Sequence, residues 1–122
     1  MTRERLALGR LGERLAREEI RKLGYKEVAR NYRCPLGEVD LIARDRDTLV
    51  FIEIKTRSGG PRGYAKEAVD RRKQRQLSKA ALYYMKEHGV ADERARFDVV
   101  AVSFRGGEPE IELIRNAFDL AC

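Results

Sequence analysis

Cysteine and histidine are scarce in this chain of 122 residues, and their scarcity argues against several kinds of site. The two cysteines, Cys34 and Cys122, are far apart and have no His or Cys neighbour at metal-ligand spacing, so neither a zinc cluster nor a structural disulfide is expected. The single histidine, His88, precedes Gly89 at a predicted helix end, where the negative end of the helix dipole accounts for it. Any catalysis is therefore expected to use carboxylates and lysine.

Long apolar runs are missing as well. No segment approaches the length of a membrane span, and the first residues lead into no signal-peptide core, so we expect a cytoplasmic protein without a membrane partner. The length predicts one domain over residues 1–122. Lys and Arg outnumber Asp and Glu by 26 to 20, and this net charge of +6 favours polyanions, nucleic acid first, as partners.

Two neighbouring predicted strands, 37–43 and 50–56, carry the charged pattern that matters most. Side chains alternate between the two faces of a strand, so Glu53 and Lys55 share a face with Phe51. On the earlier strand, Glu38 and Asp40 share one face, whereas Val39, Leu41 and Ala43 take the other. A hairpin about Arg46 and Asp47 places Asp40 opposite Glu53 and Glu38 opposite Lys55.

This register predicts a metal site. Two carboxylates about 5 Å apart repel each other by roughly 3 kcal/mol at an effective dielectric of about 20, and a divalent cation would turn that repulsion into ligation. The alternative is a half-exposed hairpin with Glu53 and Lys55 solvated. The turn has no Asn-Gly or Asp-Gly signal, and a slip of one residue would put the carboxylates on opposite faces.

The remaining elements follow from periodicity and from turn residues. An amphipathic helix is predicted over residues 4–23 with Gly24 as its C-cap, and a second helix over 65–88. Strands are predicted at 25–34, 97–103 and 111–114, the second of them buried. The order helix–strand–strand–strand–helix–strand–strand predicts an α/β or α+β fold with a mixed sheet flanked by helices.

Charged residues outside the hairpin add candidates for the same site. Glu13 borders the apolar face of the first helix between small neighbours, so it points either toward the hairpin or to solvent. The loop 57–63 carries Arg57 and Arg62 and either contacts phosphates or serves as a flexible connector. The second helix carries a basic group that suits a phosphate-contacting rim or a solvated face: Arg71, Arg72, Lys73, Arg75 and Lys79.

The combined motifs resemble a known family. Asp40 followed by Glu53-x-Lys55 resembles the PD-(D/E)xK nuclease signature, and the αβββαβ order resembles the restriction-endonuclease-like core. Over most of the chain, several segments resemble the uncharacterised bacterial YraN-like family, whose fold is similar to that of archaeal Holliday-junction resolvases. These segments are Gly9-x-x-Gly12-Glu13, Asn31–Cys34, Gly37–Ile42, Phe51-x-Glu53-x-Lys55-x-Arg57, Lys73-x-x-Gln76-Leu77 and Arg96–Val99.

The resemblance implies roles at matching positions. Asp40 and Glu53 would hold Mg²⁺ or Mn²⁺, helped by the backbone carbonyl of Ile54 and by Glu13, either directly or through water. Lys55 would orient the attacking water and stabilise charge on the scissile phosphate, or else pair with Glu38 across the hairpin. Further supporting or phosphate contacts are expected from residues around this centre: Glu38, Gln76, Lys73 and Arg57.

Three hypotheses follow for the function. The first is a metal-dependent endonuclease acting on DNA, in preference to RNA, with branched DNA as one candidate substrate. The second is a non-catalytic nucleic-acid-binding module, and the third is a structural partner in a DNA-processing assembly. Symmetric cutting of two strands would require a homodimer, for which the apolar stretch around Ile111–Ile114 and Phe118 offers one candidate surface.

Overall fold

The first helix forms where its amphipathic pattern predicts it. A computed structural model describes residues 2–58, 69–104 and 106–121 of the chain. In it, α1 spans Arg3–Lys22, and the Thr2 side chain caps it by accepting the Arg5 N–H. Gly24 follows the end of the helix with φ +96°, a conformation that favours glycine. Leu23, predicted on the apolar stripe, is instead 44% exposed, because the helix ends at Lys22 and the chain turns away there.

Five strands form one mixed sheet in the order β1-β2-β3-β4-β5. The β3–β4 pair is parallel and the other pairs are antiparallel. This arrangement, with two helices, is the α/β αβββαβ-like core that the element order predicts, with β5 added at one edge. The strands are β1 (Lys26–Cys34), β2 (Gly37–Asp45), β3 (Thr48–Arg57), β4 (Ala95–Phe104) and β5 (Pro109–Phe118).

The predicted β2–β3 register is confirmed. Leu41 pairs with Ile52 and Asp45 pairs with Thr48, which is the register that the predicted hairpin about Arg46 and Asp47 requires. The connection is the two residues Arg46 and Asp47, and Arg46 adopts φ +58° to make the turn without a glycine. A slip of one residue would move every side chain of one strand to the opposite face of the sheet and separate Asp40 from Glu53.

The second helix begins later than predicted. α2 spans Arg71–Glu87, and Asp70 caps it by accepting the Lys73 N–H at 2.8 Å. Val69 is buried, as predicted, but it precedes the helix instead of lying on it. The N-cap explains the difference: Asp70 has an extended backbone, with ψ 175°, so the helix starts only after it. Residues 65–68 of the predicted helix, like most of the loop at 57–63, lie outside the described residues.

The sheet has one apolar core on each face, and each helix covers one of them. Alternation places Phe51 and Val99 in the core under α2, and Ile52 and Val100 in the core under α1. The alternation predicted for Val39, Leu41 and Ala43 is wrong at its first residue. Val39 packs under α2, although the other two lie under α1. Val39 lies outside the part of β2 that pairs with β3, so this pairing does not determine which face of the sheet Val39 takes.

At the edge strand β5, the apolar residues are half-buried and not fully exposed. Ile111 and Leu113 pack against the core under α1, and Phe118 stacks on Phe97 with ring centroids 4.7 Å apart. Neither α1 nor α2 is long and apolar enough to cross a membrane.

Candidate functional site

The β2–β3 ladder ends at the position where the acidic hairpin residues begin. The last pair is Leu41 with Ile52. Beyond it, the Ile54 N–H donates to Oδ2 of Asp40 at 2.8 Å. The Asp40 side chain thus replaces a strand acceptor, and this hydrogen bond holds its carboxylate against the backbone of β3. Asp40 is therefore held both by its place in β2 and by its hydrogen bond to the backbone of β3.

Glu53 is the buried carboxylate of the site, with only 4% of its surface exposed. Burial, together with a hydrogen bond to Asp40 and the charge of that residue, raises the pKa of Glu53 to about 7. The positive charges of Lys73 and Lys55 act in the opposite direction and lower this pKa. Near neutral pH, Glu53 is therefore partly protonated, and its carboxyl group hydrogen-bonds that of Asp40.

Two lysines from different elements flank Glu53. Lys55 Nζ lies 3.5 Å from Glu53 Oε2, and Lys73 Nζ, from the first turn of α2, lies 3.7 Å from the same oxygen. The side chains are 36% and 27% exposed, so both ammonium groups reach solvent while facing a buried acid. Lys55 was predicted here; Lys73 was predicted as a phosphate contact, and the structure adds its ion pair with Glu53.

Glu13 approaches from the other face of the sheet. A Cβ at the buried Gly12 would overlap the Thr56 side chain, with Cγ2 at 2.8 Å, so only glycine lets α1 lie this close to β3. The pKa of Glu13 is raised by burial and by the charge of Asp40, and lowered by Arg17. The charge of Asp40 thus reaches Glu13, and the choice between a side chain directed at the hairpin and one directed at solvent stays a prediction.

The donor set fits a hard divalent cation through two carboxylates. Within the described residues, no three side chains of His, Cys, Asp or Glu lie close enough together to hold a metal ion. Glu13 therefore does not complete a three-carboxylate cluster with Asp40 and Glu53. Mg²⁺ is commonly held by one or two carboxylates, with water and substrate phosphate in the other positions. Asp40 and Glu53 satisfy that pattern, and the Ile54 carbonyl stays a predicted further ligand.

The turn between β1 and β2 packs on α2 beside the site. Gly37, with φ +148°, leaves room for Gln76, since a Cβ there would meet Gln76 Cγ at 2.7 Å. Gln76 thereby reaches the site region, as expected of a supporting residue. Glu38 instead forms an exposed ion pair with Arg33 at 3.4 Å and does not pair with Lys55. The predicted Glu38–Lys55 pairing is wrong because β2 and β3 are already unpaired there.

An open polar cleft lies between Lys55 and the start of α2, next to the carboxylate pair. Lys55, Asp70, Arg72, Lys73 and Gln76 line it. The other predicted basic residues of α2 are exposed along the same helix: Arg71, Arg75 and Lys79. Arg57 is half-buried at the end of β3, and Arg62 lies outside the described residues.

A second charged cluster, which the sequence analysis did not identify, lies on the α1 face. Asp98 has no exposed surface and accepts hydrogen bonds from Tyr25 Oη at 2.7 Å, Arg96 Nε at 3.0 Å and the Asn116 N–H at 2.9 Å. Arg96 also bonds Asp45 at 2.8 Å. The sequence feature that could have indicated this cluster is Asp98, the single acidic residue in the apolar run 97–102. These contacts tie β4 to β2, to β5 and to the end of α1.

The comparison with known families gives one match. A family model described as "Uncharacterised protein family UPF0102" matches residues 12–102, most of the chain. This region includes both hairpin carboxylates and the two lysines described above.

Several relatives match over nearly the full length. The chain is 47% identical over 119 residues to a UPF0102 protein of Desulfosudis oleivorans, covering 98% of this chain and 95% of that one. It is 47% identical to a UPF0102 protein of Syntrophotalea carbinolica, covering 98% of each. A UPF0102 protein of Geobacter metallireducens is 48% identical, with 94% of each chain covered.

Proposed function

Because the chain belongs to the uncharacterised protein family UPF0102, whose description assigns no activity, we propose its function from the site itself. We propose that it is a metal-dependent endonuclease that hydrolyses phosphodiester bonds in DNA. The observation that carries this proposal is the pair formed by the buried Glu53 and the half-buried Asp40, with two lysines on one carboxylate oxygen of Glu53. Such a pair costs stability unless a cation or a proton lies between its members, and sites of this kind are commonly functional.

The chemistry follows from these groups. A divalent cation held by Asp40 and Glu53 would neutralise the scissile phosphate and lower the pKa of water at the site. Lys55 then holds the attacking water in line and stabilises charge that develops on the phosphate. Lys73 faces the same oxygen from α2 and is available to a phosphate oxygen that approaches along the cleft.

The charge distribution supports DNA as the substrate. The cleft opens onto the basic residues of α2, which suit phosphate contacts on a strand held at the carboxylates. Cutting two strands symmetrically requires two such sites, so a homodimer is the expected active form on branched DNA.

A cleavage assay tests the proposal directly. Purified protein is incubated with labelled single-stranded, duplex, flap and four-way-junction DNA in Mn²⁺ or Mg²⁺, with EDTA as the control. We expect metal-dependent cleavage, absent in EDTA, and the preferred DNA shape identifies the substrate. A matched Asp40→Asn preparation controls for contaminating nucleases, because it keeps the side-chain shape while weakening the metal site.

A second candidate function is supported by the small number of acidic ligands. Since no third Asp, Glu, His or Cys joins the pair among the residues described, a non-catalytic DNA-binding module, alone or as a structural partner in a DNA-processing assembly, would need no further residue. It predicts binding of the same DNA substrates with no cleavage in either metal. Its affinity would fall with salt and would be unchanged or improved in the Asp40→Asn variant, because a repelling charge is removed.

The pKa of Glu53 predicts how stability depends on pH. Between about 4.5 and about 7, the folded protein keeps a proton on Glu53 that the unfolded chain has already lost. Stability therefore falls as pH rises through this range, by about 3 kcal/mol from this group alone. Urea unfolding of the metal-free protein across this range should show that fall, and the isosteric Glu53→Gln variant should remove it.

Metal binding should reverse the same trend. A cation needs the ionised carboxylate, so Mn²⁺ should raise the melting temperature more at pH 8 than at pH 6. Mn²⁺ should have little effect on the Glu53→Gln variant. An identical pH slope in the wild type and in that variant would contradict the assigned burial and charge environment of Glu53.

A further inference from the structure

The outer face of α1 carries a row of arginines that the proposed cleavage site does not use. Arg3, Arg10, Arg14 and Arg21 are exposed and recur at seven-, four- and seven-residue intervals. At 3.6 residues per turn, all four lie within about 40° of one another around the helix. They form a straight row, here called the arginine stripe, that is about 27 Å long.

The charges of the stripe have no ion-pair partner in the part of the chain that the structure describes. None of its four arginines forms an ion pair with another described residue, although Glu18 is one turn from Arg14. Arg17, beside the stripe, behaves differently: it is half-buried and bonds Glu27 at 2.8 Å. An uncompensated row of four guanidinium groups concentrates positive potential on one ridge, which favours a regularly spaced polyanion.

The stripe lies on the side of α1 that faces away from the sheet, because the buried Gly12 is about 180° around the helix from Arg3. Glu13 is on the flank of α1 between the buried face and the stripe, and the charge of Arg17 lowers its pKa. The basic residues of α2 lie on the opposite face of the sheet, because the two helices cover different cores. The hairpin carboxylates therefore sit between two basic surfaces, one on each helix.

We propose that the arginine stripe is a second DNA-binding surface, which holds the backbone of a duplex arm that extends past the site. Its length of about 27 Å corresponds to the axial rise of about eight base pairs of duplex at 3.4 Å each. This inference rests on the proposed function: one arm lies on α2, the scissile phosphate lies at Asp40 and Glu53, and the second arm lies on α1. A substrate with two arms at an angle fits both helices better than a straight duplex does.

The test compares two variants that remove the same charge. Arg10→Gln/Arg14→Gln removes two stripe arginines and keeps good helix formers in place. Lys86→Gln/Arg94→Gln is the control, since both of these residues are exposed and lie beyond the site, at the last turn of α2 and before β4. Binding of a labelled four-way junction and of a 25-base-pair duplex is measured in Ca²⁺ across salt concentrations.

The stripe variant is expected to bind the junction about tenfold more weakly, with a salt slope smaller by about 2, whereas the control should change little. Equal losses in the two variants, or no loss in the stripe variant, would overturn the proposal. Hydrolysis of bis(4-nitrophenyl) phosphate, which is too small to reach the stripe, should be unchanged in both variants. If the wild type cleaves neither this ester nor DNA while the difference in binding persists, the nuclease proposal fails and the stripe assignment stands.

Discussion

Replacing Lys55 with alanine is expected to reduce DNA cleavage by about 10² to 10³-fold. The reason is its position: Lys55 Nζ lies 3.5 Å from Glu53 Oε2 on the same strand face, where it can reach both an attacking water and the phosphate. Loss of one preordered stabilising group in a site of this kind typically costs a factor of that size in kcat. Single-turnover cleavage in Mn²⁺ at saturating enzyme measures the chemical step without a contribution from binding.

Lys79→Ala is the matched control for charge. Lys79 lies exposed on α2, and its loss should weaken binding slightly without changing the single-turnover rate. Lys55→Ala should keep the Mn²⁺-induced rise in melting temperature, because both carboxylates remain. Wild-type cleavage in Lys55→Ala would assign the activity to another site or to a contaminant. Loss of metal binding together with cleavage would instead assign Lys55 a role in holding Glu53.

The hairpin could be predicted because local rules determine it. Apolar alternation fixed the register that brings Asp40 toward Glu53, and the turn at Arg46 and Asp47 formed without a glycine signal. The family resemblance inferred from the same motifs is confirmed by the match to UPF0102, which the YraN-like pattern indicated. Such a pattern predicts the structure well, because a register shift of one residue would move every side chain of a strand to the opposite face of the sheet.

Contacts between distant elements could not be predicted in the same way. The ion pair of Lys73 with Glu53 depends on how α2 docks on the sheet, and the start of α2 was itself predicted too early. The Glu38–Lys55 pairing failed because strand counting assumes a ladder that continues, whereas β2 pairs with β3 only from Leu41 onward. In both cases the outcome depends on tertiary packing, which the local periodicity of the sequence does not report.

The second large effect is expected at Asp98, where Asp98→Ala should lower the free energy of unfolding by about 3 to 5 kcal/mol. The side chain is fully buried, and its removal would leave the Tyr25 hydroxyl and the Asn116 N–H without their acceptor. Burial alone would lower the pKa of Arg96, but hydrogen bonds with Asp98 and Asp45 outweigh it and raise that pKa. The alanine variant would therefore leave the partly buried Arg96 guanidinium with Asp45 as its remaining carboxylate partner.

Asp45→Ala provides the comparison, because Asp45 bonds the same guanidinium from a side chain that is 23% exposed. Its loss should cost only about 1 kcal/mol, since water can replace it. Urea unfolding measures both variants, and circular dichroism before unfolding checks that each one folds. If the two variants lose similar stability, the buried network is not what ties β4 to its neighbours. Asp98→Asn gives a further comparison. If Asp98→Ala fails to fold while Asp98→Asn has an intermediate free energy of unfolding, the charge and the hydrogen bonds of Asp98 contribute separately, as its three donors imply.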